Sequence, residues 1–320
     1  MLRHLAATLI AMTVAGGALA EDKPAKVSMD WATYNPVSVA LKAKGFLDEE
    51  MKKDGIAVEW TKSGGSNVSI GFLNSGKIDF GSTAGAAALV AKIDGAAIKT
   101  VYVFSKPEWT ALVVKPDSAI KTISDLKGKR VAAARGTDPH IFLTRALAEN
   151  GVAPTDVTVV VMAHANGKAA MEAGDVDAWA GLDPLMAEAE VKGTGKLVYR
   201  NADFNTYGVL SVTADFATKY PTAVKRVLAA YEQARLWSMS HPDELLALMV
   251  EATGMPKEVV AKQLAERTDL KDPVVGAKVR STIQAAGVTL QKVGALNEKV
   301  DVAATLDAML DPTFLPKAAQ

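Results

Sequence analysis

FLNSGKIDFGSTAG, residues 72–85, returns 98 residues later as AMEAGDVDAWAGLD, residues 170–183. Gly76 falls on Gly174, Ile78 on Val176 and Asp79 on Asp177. In both copies the pattern reads as a helix ending at Gly, a short strand, and then another helix. A strand and a polar loop precede each copy, with SGGSN (63–67) before the first and AHANG (163–167) before the second. Chance can match one dipeptide, but hardly the whole helix–glycine–strand–loop order. The expectation is two similar α/β lobes, each a sheet flanked by helices.

The first copy holds three motif signals that must be separated. Asp79-Phe80-Gly81 spells the kinase metal-binding triplet, yet no glycine-rich phosphate loop or HRD sequence accompanies it, and its counterpart Asp177 would have no reason to exist. GFLNSGKI (71–78) nearly meets the phosphate-loop pattern but places Ile78 where a magnesium-binding hydroxyl is needed. Gly81-Ser82-Thr83-Ala84-Gly85 has the spacing of a nucleophile elbow, with Thr in place of Ser. A nucleophile needs a base, and only His140, His164 and His241 remain once His4 leaves with the leader. No two of these have the spacing of a metal pair. The remaining reading is a strand that ends in small hydrogen-bond donors and opens a helix.

Composition narrows the function further. The 320 residues are 49% hydrophobic and 22% charged, enough for one large core or two ordinary ones. Basic and acidic residues number 36 each, so no excess positive charge exists for nucleic acid. Residues 1–20 read as a secretory signal, with Arg3 in the charged region, an apolar run from Leu5 to Val14, and Ala18-Leu19-Ala20 at the cleavage site. That run is short of the roughly 20 residues of a membrane span. The chain has no Cys, which excludes disulfides, thiolate chemistry and lipid attachment at the cleavage point. The expected location is the periplasm.

Outward from the repeat, strands are expected at 26–29 and 56–61 and helices over 37–53 and 67–74, and from Pro221 onward the pattern is almost wholly helical. RGTDPHIFLTRALAENG (135–151) places Gly136-Thr137 between a strand and a helix, with Pro139 in the first turn, where its missing N–H costs nothing. Free amides at such a helix start make an anion seat. SGGSN, GSTAG and RGTDPH together suggest convergence on one anionic group. Trp31, Tyr34, Trp109, Trp179 and Tyr207, near predicted strand ends, are expected to flank its apolar body.

LNSGKIDFGST (73–83), ISDLKGKRVA (123–132), RGTDPHIFLTRAL (135–147) and GDVDAWAGLDP (174–184), followed by HPDELLALMVEATG (241–254), carry a resemblance over nearly the whole mature chain. The chain resembles the periplasmic substrate-binding proteins of ABC importers for sulfonates, taurine and nitrate, most closely the aliphatic sulfonate branch. The resemblance implies a two-lobed type II binding-protein fold with two hinge crossings and extra C-terminal helices. It assigns 21–112 and 208–320 to one lobe and 113–207 to the other, with crossings near 111–115 and 207–212. It also implies capture of a small organic anion, without catalysis, cofactor or metal, and delivery by a monomer to a membrane permease and its ATPase. The family's anion-contacting positions fall on Ser63, Ser66, Asn67, Ser82, Thr83 and Thr137, with Trp179 and Asp183 bordering the cleft. Asn35, Arg135, Asp138 and His164 complete the candidate site with Trp31, Tyr34 and Tyr207. Two places depart from the sulfonate pattern: Thr-Asp-Pro-His after Gly136, and DWATYNP (30–36), which is similar also to pyrimidine-binding relatives. Taurine, nitrate or a heterocycle are therefore alternative ligands, and sensing for a receptor or an exported enzyme are alternative roles. If Asp30, Asp138 and Asp183 all faced the ligand, they would favour a zwitterion. The alternative is that Asp138 and Asp183 cap helices and Asp30 pairs with a lysine.

Overall fold

In the computed structural model, which describes residues 23–315, two five-stranded sheets carry the chain. The expected signal segment lies outside the described residues. The first sheet begins with β1 (Lys26–Trp31), α1 (Pro36–Ala43), α2 (Phe46–Lys52), β2 (Ala57–Lys62) and α3 (Ser66–Asn74). It continues with β3 (Phe80–Ala84), α4 (Gly85–Ile93) and β4 (Ile98–Ser105). The second sheet contains β5 (Leu112–Val114), β6 (Arg130–Ala133), α5 (Asp138–Glu149), β7 (Thr158–Val161) and α6 (His164–Ala173), followed by β8 (Ala178–Ala180), α7 (Leu185–Val191) and β9 (Lys196–Tyr199). The chain then returns as β10 (Gly208–Thr213) and α8 (Ala214–Lys219). It ends in α9 (Pro221–Ser240), α10 (Pro242–Thr253), α11 (Lys257–Arg267), α12 (Ala277–Lys292) and α13 (Val302–Met309).

Strand order is β2-β1-β3-β10-β4 in one sheet and β7-β6-β8-β5-β9 in the other. Three parallel strands come first in each, and an antiparallel strand fills the fourth place: β10 beside β3, with Leu210 opposite Ser82, and β5 beside β8, with Val113 opposite Trp179. In both sheets that fourth strand is the one arriving from the other sheet. The passages between sheets are therefore residues 106–111 and 200–207, a few residues upstream of the expected 111–115 and 207–212. This is the two-lobed α/β architecture that the repeat implied.

The matched aspartates have a structural explanation. Asp79 accepts from the Ser28 amide at 2.8 Å and its own amide donates to the Ser28 carbonyl at 2.7 Å. Asp177 does the same with Arg130, at 2.8 Å and 2.9 Å. Each aspartate braces the entry to a central strand against the strand beside it.

Local departures from expectation are small. The helix expected over 37–53 is two helices, because Gly45 adopts φ +68° and turns the chain between them. The second passage ends on Tyr207 at φ +64°, the one non-glycine residue with positive φ among those described. Holding a Tyr there costs about 1–2 kcal/mol, so the surrounding contacts must fix it. Both faces of β3 are buried, beneath the cluster of Phe80, Tyr102, Phe216 and Tyr231 on one side and α3 on the other. The long α9 lies on α1 and α2, joined there by Arg226 to Glu50 and Asp54.

Candidate functional site

Three helix starts face one another in a small cleft between the sheets. Gly65 and Ser66 open α3, Thr137 to Pro139 open α5, and His164 opens α6. Tyr34, Trp109 and Leu182 form the apolar side. The helices have 9, 12 and 10 residues, and the first amides of each have no partner within their own helix. Their positive dipole ends point into the same space, which therefore favours an anion. The cleft encloses about 10 Å³, room for about one water and far too little for an organic ligand.

His164 is the least satisfied group in the cleft. It is 7% exposed, and neither ring nitrogen has a hydrogen-bond partner. Burial lowers its pKa to about 4, so the ring is neutral at pH 7. A side chain left in that condition is a donor waiting for an acceptor. Asn67, exposed at the cleft mouth, places its Cβ next to the space beside Gly136 and so reaches from the first lobe to the second. Tyr34 meets Trp109 edge to face at 5.9 Å, and its hydroxyl donates to the Ser82 carbonyl at 2.9 Å.

The expected serine donors serve a different anion. Ser63 Oγ donates to Asp30 Oδ2 at 2.7 Å, while Ser82 gives both its amide and its hydroxyl to Asp30 Oδ1 at 2.8 Å. Asp30 is fully buried, and burial raises its pKa to about 6 despite these bonds. It pairs with hydroxyls and an amide, not with a lysine. GSTAG is therefore not a free anion cradle. Ser82 is committed to Asp30, and the first amides of α4 are taken as well: Gly85 N by the carbonyls of Thr206 and Tyr207, Ala86 N by Thr206 Oγ1.

The other two aspartates are also engaged. Asp138 accepts from Trp109 Nε1 at 2.9 Å, from Thr206 N at 3.1 Å and from Thr206 Oγ1 at 2.6 Å. It thus ties the start of α5 to both passages between the sheets, where a helix cap was one expectation. Burial raises its pKa. Asp183 caps α7 by accepting from Ala187 N at 2.9 Å and also pairs with Arg267. Burial raises its pKa to about 6, the guanidinium notwithstanding.

Several sequence candidates lie outside the cleft. Trp31 points to the outer surface, its ring between Lys42 and Lys62 and against α10, because the strand alternation that sends Asp30 inward sends Trp31 out. Trp179 is core, packed against Gly167 and Met171 under the second sheet. Asn35 caps α1 and donates to Ser82 Oγ and the Tyr231 hydroxyl. Arg135 is exposed, and Tyr207 belongs to the cluster under α12 and α13. Thr83 is fully buried with its hydroxyl unpaired, and Thr137 donates to the Ala134 carbonyl at 2.6 Å. Ser66 lines the cleft while accepting from Ala84 N at 2.9 Å. Leu182 lies in a quoted motif without being marked there as a cleft residue, and Pro139, expected only as a first-turn helix residue, also lines the cleft. The cleft's third helix start was legible only as the repeat partner of SGGSN.

Residues 34–245 match the family described as NMT1/THI5 like. The chain belongs to that family. It is 29% identical over 285 residues to a protein named as aliphatic sulfonates-binding from Escherichia coli strain K12, covering 88% of this chain and 89% of that one. The alkanesulfonate-binding protein SsuA of Xanthomonas axonopodis pv. citri, solved bound to MOPS, is 27% identical with a TM-score of 0.81, over 89% of this chain and 98% of that one. Periplasmic aliphatic sulphonate-binding SsuA of E. coli is 28% identical with a TM-score of 0.76, over 92% and 94%. These family members share the two-lobed fold. Among the described residues no helix is long and apolar enough to cross a membrane.

Proposed function

We propose that this family member is the exported solute-binding component of an ABC importer, capturing an aliphatic sulfonate between lobes 21–112 with 208–320 and 113–207. The observation that carries the reading is the meeting of three helix starts around the unpartnered His164. A sulfonate is fully ionised and only accepts hydrogen bonds, and this cleft offers donors. Each hydrogen bond to a charged oxygen is worth about 1.5–3 kcal/mol. Four or five outweigh ordering and desolvation enough for micromolar affinity, about −8 kcal/mol. The likeness to the sulfonate-binding relatives supports the same ligand class, and the wider family keeps taurine, nitrate and heterocycles as competitors.

The three aspartates bear on that choice. Each is bonded to protein donors, so none is free to select a ligand amine. Ethanesulfonate should therefore bind at least as well as taurine. Because about 10 Å³ cannot hold either, the lobes must part to admit ligand and close over it. Calorimetry of the mature protein with ethanesulfonate, taurine and nitrate tests the reading. Micromolar ethanesulfonate binding supports it, a preference for taurine of tenfold or more would place a carboxylate on the ligand, and no sulfonate binding would overturn it. The closed protein then docks on a permease as a monomer, and no turnover of ligand is expected.

A further inference from the structure

We infer that Arg267 is a latch that holds the two lobes shut, independent of the ligand's own contacts. Arg267 ends α11, which belongs to the first lobe: Val260 packs among Val39, Ala40, Leu245 and Met249, and Gln263 Nε2 donates to the Thr33 carbonyl at 3.3 Å. Its guanidinium nevertheless lies between two carboxylates of the second lobe. Nη1 donates to Asp183, just before α7, at 2.9 Å, and Nη2 to Glu190 in the last turn of that helix. The Arg267 and Asp183 side chains are each 1% exposed. Asp183, removed from water beside one cation, is tolerable only while the cation stays, whereas Glu190 at the rim is partly hydrated, so separation must be accompanied by wetting of Asp183. Opening the cleft supplies that water.

The backbone places the latch beside the moving parts. Arg267 O accepts from Glu108 N at 3.0 Å and Asp269 O from Lys106 N at 2.7 Å, so the latch is anchored on the first passage. Asp183 N donates to Trp109 O at 3.0 Å, and Asp183 follows Leu182, so the captured carboxylate is covalently next to the cleft wall. Closing the latch therefore seats Leu182 and Trp109, although no atom of Arg267 lines the cleft. This inference rests on the closing lobes proposed above but not on the ligand's identity.

Arg267→Met keeps the unbranched stem of the side chain and removes its charged end, and small-angle scattering of unliganded protein reads the result directly. A latch predicts a larger radius of gyration for the unliganded variant than for unliganded wild type. It also predicts the same compact radius when the variant is saturated with ethanesulfonate, and a melting temperature little changed, because opening hydrates the freed carboxylates. If the closed fraction falls to about a tenth, affinity falls about tenfold. Arg267→Lys should recover part of both effects. An ordinary structural ion pair gives the opposite pattern: an unchanged radius with a lowered melting temperature, which would overturn the latch. Glu190→Gln, milder and at the rim, gives the same test if Arg267→Met does not fold, and an unchanged radius there would also overturn it. Absence of sulfonate binding would reject the ligand reading while the unliganded radii still judged the latch.

Discussion

Replacing Asp30 by Asn removes a charge and keeps a shape, and the structure sets the expected size of the response. The wild-type carboxyl is buried with Ser63 and Ser82 donating to it and no cation in contact. Desolvation lifts its pKa from the ordinary 3.8 to about 6, which makes ionising it in the folded protein costlier by about 3 kcal/mol than in the unfolded chain. The folded pKa is the higher one, so the folded protein holds the extra proton between those two values. The corresponding stability is complete below pH 3.8 and is lost as pH rises through about 6. Asn cannot ionise: its Oδ1 keeps both bonds from Ser82, and its amide can donate to a turned Ser63 hydroxyl. The stability of Asp30→Asn relative to wild type should therefore grow with pH, reaching about 3 kcal/mol by pH 8, less a small cost for reorienting Ser63. Asp183 and His164 titrate nearby but do so in both proteins, and cancel in the difference. Urea unfolding of both unliganded proteins at steps from pH 4.5 to 8 measures it. A difference that stays flat across that range would refute the buried internal anion.

Three further substitutions test the cleft as drawn. Gly65→Ala would put a methyl 3.1 Å from Asn67 Oδ1 and 3.2 Å from His164 Nε2, so calorimetry should show at least about tenfold weaker sulfonate binding with unfolding little changed. Trp31→Ala should lower unfolding free energy by about 2 kcal/mol and leave affinity within about twofold, since the ring packs on the outer face; a large affinity loss would return Trp31 to the site. Thr83→Val removes a buried hydroxyl that has no partner, so chemical unfolding should show equal or up to about 1 kcal/mol greater stability, with binding unaltered. Weakened binding in that variant would make Thr83 a ligand donor after all.

The sequence disclosed the architecture because repeats and periodicity are local and survive translation into strands and helices. Gly76 and Gly174 end helices where the pattern said, and Asp79 and Asp177 occupy matched places. The site was harder to read because its logic is pairwise. Ser63 and Ser82 look like ligand donors until Asp30, 33 and 52 residues away, is seen to accept from them. Trp31 and Asp30 are neighbours in sequence on opposite faces of one strand, and nothing local says which face meets the cleft. Arg267 lies 84 residues beyond Asp183 in a helical region that no motif marked. Thr137 and Asp138, by contrast, were legible from the strand–glycine–helix order around Gly136, and His164 from its place in the repeat partner of SGGSN.

Two passages join the lobes, and two points of attachment define a line. Motion between bodies joined in that way is a swing about one axis, with twisting and sliding both resisted. Tyr207 narrows the freedom further: a side-chain-bearing residue already set at φ +64° next to Gly208 allows little rotation before sterics intervene. The mouth of such a door travels furthest, and groups nearer the pivot, Arg267 and Asp183 among them, part over a shorter distance. With the lobes parting as proposed, anything that enters comes from the side opposite 106–111 and 200–207, and the order in which contacts form follows their distance from the pivot. The chain's connectivity, before any side chain is considered, has already chosen the direction of approach.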